Sequence, residues 1–128
     1  MRWMVLLWLM LPLFSLSQKQ VDKLKRKYLG NYKGVISNYE TRVGSGYVEV
    51  AETPIYIRLD KKRAEFIIGN RSFGGEYKIM FMAETYYLLD VTIPGAAATE
   101  RILVYKNGKR LSRDGMYPQP VTELKKYK

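Results

Sequence analysis

Between Gly30 and Arg113 the apolar residues recur at every second position, and this period constrains the fold more than any other feature of the chain. It is clearest at 54–60, where Ile55, Ile57 and Leu59 alternate with Tyr56, Arg58 and Asp60. A chain written this way has one apolar and one polar face, so it belongs in a sheet buried on one side. Phe66 and Ile68 continue the pattern, followed by Tyr77, Ile79 and Phe81 and then by Tyr87, Leu89, Val91 and Ile93. Breaks fall at Asp60-Lys61-Lys62, Gly69-Asn70, Ala83-Glu84 and Pro94-Gly95. Asn107-Gly108 separates two further alternating runs and predicts a hairpin turn in which both residues take positive φ. With 32–40 and 47–50 added, the count is about eight short strands, the pattern of an all-β, antiparallel up-and-down β-barrel. Ile57, Leu59, Phe66, Ile68, Leu89 and Val91 are expected to face its core, with Arg58 on the other side.

The ends read differently. After Met1 and Arg2, residues 3–14 form an uncharged apolar run broken only by Pro12, and Ser15-Leu16-Ser17 supplies small residues for a cut before Gln18. The run falls short of the roughly 20 residues that span a bilayer. Residues 1–17 are therefore expected to be a signal peptide and the mature protein, one domain over 18–128, to be exported to the periplasm or beyond. Val21, Leu24, Tyr28 and Leu29 fall on one stripe of a short helix over 18–29 that Gly30 stops. Strands are expected over 30–113. Gly115, Pro118 and Pro120 make 114–128 a loosely packed tail.

The chain has no cysteine and no histidine, which removes disulfides, a thiolate nucleophile, an imidazole base and a Cys/His metal site. Gly44-Ser45-Gly46 is not a nucleophile elbow, because Val43 stands where that turn needs glycine. Asp60, Glu65, Glu76 and Asp90 sit at strand edges or among lysines and arginines and read as solvated partners rather than an acid-base pair. The expectation is a protein that is not an enzyme and uses no cofactor or metal.

Two features point to binding instead. The net charge of +10 is concentrated at the ends: 19–27 carry +4 and 106–128 carry +5, while 28–105 are neutral. If the first and last strands pair, Lys23, Lys25, Arg26 and Lys27 meet Lys109, Arg110, Lys125 and Lys126 in one basic pole. Such a pole attracts an anionic surface, with nucleic acid the disfavoured partner, and is screened by salt. Its bland counterpart is charge that serves solubility alone. The second feature is eleven tyrosines against four phenylalanines. Tyr77, Ile79, Phe81, Tyr87, Leu89 and Val91 would combine apolar walls with two hydroxyls, the mixture that holds a small apolar or amphipathic ligand.

Leu29-Gly30-Asn31-Tyr32, placed after a short basic helix and before an up-and-down series of strands, resembles the entry to lipocalin barrels. In that family a Gly-x-Trp opens the first strand; here tyrosine takes the tryptophan position, and Arg101 or Arg113 loosely matches the family's arginine near the last strand. The ending Tyr117-Pro118-Gln119-Pro120 is similar to that of small exported bacterial β proteins, which implies no activity. The lipocalin resemblance implies a small hydrophobic ligand inside the barrel. Two readings of function follow: an exported ligand-binding barrel, or a solid β module that docks its basic pole on an anionic surface or a protein partner.

Overall fold

The computed structural model describes residues 23–115 and 119–128, so the expected signal peptide and residues 18–22 of the expected helix lie outside the described residues. Ten strands follow in chain order: β1 (Gly30–Ile36), β2 (Tyr39–Val43), β3 (Gly46–Val50), β4 (Thr53–Leu59) and β5 (Arg63–Ile68). They continue as β6 (Arg71–Met82), β7 (Tyr86–Thr92), β8 (Glu100–Tyr105), β9 (Arg110–Asp114) and β10 (Thr122–Lys126). Eight of them close an antiparallel barrel in the order β1-β10-β9-β8-β7-β6-β5-β4, and β2 and β3 form a separate hairpin between β1 and β4. From β4 to β9 each strand pairs with the next one in the chain, whereas β1 meets β4 across the β2–β3 hairpin and meets β10 from the other end of the chain.

Inside the barrel the alternation holds. Ile55, Ile57 and Leu59 of β4, Ala64 and Phe66 of β5, Leu89 and Val91 of β7 and Ile102 and Val104 of β8 are all buried in one apolar cluster. Ile68 is half-buried against it, and Arg58 is exposed on the outer face. β6, at twelve residues, serves two neighbours by passing from β5 to β7. The crossing falls at Glu76, which pairs on both sides, and at the adjacent Gly75 a Cβ would collide with the Thr92 carbonyl, so the strand approaches its neighbour more closely than any other residue allows.

Four expectations are corrected. Residues 114–128 are not a loose tail: β10 pairs with both β1 and β9 and completes the barrel, with Leu124 fully buried. The strands expected at 32–40 and 47–50 divide differently, because the first breaks at Ser37-Asn38 and its second part pairs with β3 outside the barrel. Among the described residues the helix is a single 3-10 turn, Arg26–Tyr28. The Asn107-Gly108 hairpin is present, but only Gly108 takes a positive φ, 74°. The Asn107 side chain instead accepts the Lys109 amide at 2.9 Å, holding the turn through Oδ1.

Candidate functional site: a tyrosine-capped, basic end of the barrel

The register places Gly30, Leu59, Arg63, Tyr105, Arg110 and Lys126 at one end of the barrel, and Ile36, Thr53, Ile68, Glu100, Arg113 and Thr122 at the other. The two ends are built from different chemistry.

Tyrosines close the first. The 3-10 turn lies across the opening and buries Tyr28, whose ring meets Tyr87 edge-on with centroids 5.3 Å apart. Tyr32 points up from β1 and donates its hydroxyl to the Tyr28 carbonyl at 2.7 Å. The Tyr77 hydroxyl is held between the carbonyls of Asp60, at 2.6 Å, and Lys61, at 2.9 Å, in the β4–β5 turn. Burial pushes the hydroxyls of Tyr32 and Tyr77 up to about 12, with Tyr28 and Asp60 respectively adding to the effect.

An ion pair closes the second. Arg113, 4% exposed, faces inward from β9 and donates Nε to Glu100 Oε1 at 2.8 Å and Nη2 to Oε2 at 3.1 Å. Its Nη1 reaches Gln119 Oε1 at 2.9 Å. Thr122 Oγ1 is buried nearby on β10 with no hydrogen-bond partner among the described residues. Tyr32 pairs with Lys126 and Arg113 with Thr122, four residues along β10, a separation of about 13 Å. Arg113 therefore serves the opposite end from Tyr32, and Arg101 is exposed.

Of the six residues expected to line a ligand site, five come together in or against the core cluster and Phe81 does not. Leu89 and Val91 are fully buried, and Tyr77 and Tyr87 are buried with their polar or aromatic contacts already made inside the chain. Ile79 is half-buried against the core. Phe81 is 55% exposed on the outside, because a bulge between Ile79 and Phe81 adds Met80 to β6 and turns the rest of the strand over.

The basic residues do come together. Lys126 donates Nζ to the Lys27 carbonyl at 2.9 Å, and its amide bonds to the Lys109 carbonyl at 2.7 Å. Gly108 packs against the same Lys27 carbonyl. The turn that carries Lys25, Arg26 and Lys27, the β8–β9 loop with Lys109 and Arg110, and the end of β10 with Lys125 thus form one rim around the tyrosine-capped opening. Lys23 precedes it, exposed. Arg110 pairs with Glu123 at 2.9 Å, whereas Lys25, Arg26, Lys27, Lys109 and Lys125 have no carboxylate in ion-pair distance among the described residues. Two more lysines, Lys61 and Lys62, stand exposed in the β4–β5 turn at this end, and Lys106 lies over the Tyr87 ring at 5.1 Å. Sequence position assigned Lys61 and Lys62 to the neutral body, and only the strand register moves them to the rim.

Three concavities lined by described residues open on the outside of the wall or beside its far end. One, of about 470 Å³, lies over β1, β4 and β5 between Tyr56, Arg58, Glu65 and Tyr127. The others lie beside the 93–99 connection. Among the described residues no group of acidic side chains is arranged to hold a metal ion, and no helix is long and apolar enough to cross a membrane. No family model matches the chain, and neither a curated protein nor a solved structure is found similar to it.

Proposed function

We propose that this is a non-enzymatic interaction module, exported after cleavage before Gln18, that docks its basic end on an anionic surface. The observation that supports the reading is the closure of β1 by β10, which joins the 3-10 turn to the β8–β9 loop through Lys126 and Lys27. Cations that outnumber the carboxylates beside them repel one another, and an anionic partner relieves that repulsion. The exposed rim makes the attraction sensitive to salt, since charges in solvent are screened over about 8 Å at physiological ionic strength. Heparin is a convenient polyanion for the test. Wild-type protein should bind at low salt and release on raising it, and replacement of Lys23, Lys25, Arg26 and Lys27 by glutamine should weaken binding about tenfold or more. Binding that ignores both salt and these substitutions would return the charge to solubility.

A second reading keeps the lipocalin-like expectation of a small amphipathic ligand but supports it with the outer concavity, whose volume of about 470 Å³ lies in the range of ligand sites. Tyr56 and Tyr127 meet edge-on across it at 6.3 Å. Saturating ligand at a hundred times its dissociation constant would stabilise the fold by about 2.7 kcal/mol. A thermal-shift screen of fatty acids, isoprenoids and aromatic metabolites that moves wild type and leaves Tyr56→Ser unmoved would support this reading; no shift would remove it.

A further inference from the structure

The bulge that turns Phe81 outward leaves three consecutive large apolar residues in solvent: Met80, Phe81 and Met82, at 60%, 55% and 51% exposure. They lie where β6 outruns β5. The first residue of β5, Arg63, pairs with Glu76, so beyond it the β5 side of β6 has no strand partner among the described residues. Phe81 stands beside Tyr86 of β7, centroids 6.4 Å apart, and neither belongs to the core cluster. This apolar ridge adjoins the basic end. Lys106 donates its amide to the Thr85 carbonyl at 2.8 Å in the β6–β7 connection, and Lys62 accepts the Tyr77 amide at 3.0 Å through its carbonyl. Lys78 is exposed three residues before Phe81. Against them the connection carries one carboxylate, Glu84.

We infer that the anionic surface recognised by the basic end is a lipid bilayer, and that Phe81 with its two methionines enters the acyl boundary while the lysines meet the head groups. This inference rests on the docking function proposed above. A polyanionic glycan or nucleic acid satisfies the lysines but offers no apolar phase to an exposed phenylalanine. A bilayer with anionic head groups supplies both layers in the order in which the protein presents them. The hairpin is suited to this use because its backbone is held by β7 while its apolar side chains stay outside the core and are more than half exposed.

The absence of cysteine gives a direct test. Phe81→Cys and, as control, Tyr47→Cys on the exposed β2–β3 hairpin each accept one environment-sensitive fluorophore in the full chain. Equal parts of phosphatidylglycerol and phosphatidylcholine make the anionic vesicles, and phosphatidylcholine alone the neutral ones. The expected result is a blue shift at position 81 on anionic vesicles only, with no shift at 47. Phe81→Ser should lower vesicle affinity about tenfold or more, the scale set by burying one large apolar side chain, while leaving heparin binding unchanged. A silent label at 81 on bound vesicles, undiminished vesicle affinity in Phe81→Ser, or no vesicle binding beside intact heparin binding overturns the lipid inference alone. Loss of salt-sensitive heparin binding in the wild type overturns the basic-end reading as well.

Discussion

The Tyr32 hydroxyl donates to the Tyr28 main-chain carbonyl at 2.7 Å, so the first barrel strand is tied to the turn that caps it. Both residues are buried, and the bond satisfies a carbonyl that the short 3-10 turn leaves without a helical partner. Tyr32→Phe keeps the ring and orphans that carbonyl, which should cost about 1 to 2 kcal/mol in urea denaturation. Tyr32→Ala also leaves a cavity and should cost about 3 to 5 kcal/mol.

Alkaline pH should weaken the same end. The hydroxyls of Tyr32 and Tyr77 are raised from 10.0 to about 12. Because the folded values lie above the unfolded one, the folded state holds these protons more tightly. Stability is full below pH 10 and is lost as pH climbs through 12. Denaturation midpoints measured across that window should fall less steeply in Tyr77→Phe than in wild type.

At the opposite end, Glu100→Ala leaves Arg113 buried and unpaired, which should cost about 3 to 5 kcal/mol. Glu100→Leu combined with Arg113→Met removes both charges and should recover most of that loss, since an apolar pair escapes the desolvation penalty. Equal destabilisation in the single and double variants, measured by urea titration, would contradict the assignment.

Thr122→Val replaces a hydroxyl that has no partner among the described residues by a methyl group of similar shape. The melting temperature should stay level or rise, because an unsatisfied buried hydroxyl costs about 1 to 3 kcal/mol.

Ending the chain before Pro120 removes β10 and exposes the edges of β1 and β9. The truncated protein should show no cooperative unfolding transition. A tail without structural weight would leave the transition in place.

The alternation at β4, β5 and β7 was legible because it reports burial directly, and Ile57, Phe66 and Leu89 lie inside as that pattern requires. β10 was hidden by Pro118 and Pro120 nearby and by its lysines. Thr122, Leu124 and Lys126 keep the two-residue period, but one of the three inward positions is a cation that leans on the Lys27 carbonyl. Arg113 and Glu100 are not legible as core residues for a related reason: each occupies an inward position, and hydropathy alone cannot mark a charge that is buried with its partner. Phe81 departs from the alternation because a bulge changes its phase without a glycine or proline to announce it. The meeting of the basic ends was legible from closure of the barrel, whereas Lys61 and Lys62 needed the register.

Amide chemical shifts followed during titration with a short heparin oligosaccharide test, residue by residue, whether partners meet the tyrosine-capped, basic end. Shifts should concentrate at 25–28, 60–63, 106–110 and 125–128 and should vanish as salt is raised. Shifts centred instead on the β2–β3 hairpin, or on the outer wall around Tyr56, Arg58 and Glu65, would rule out docking through the basic end.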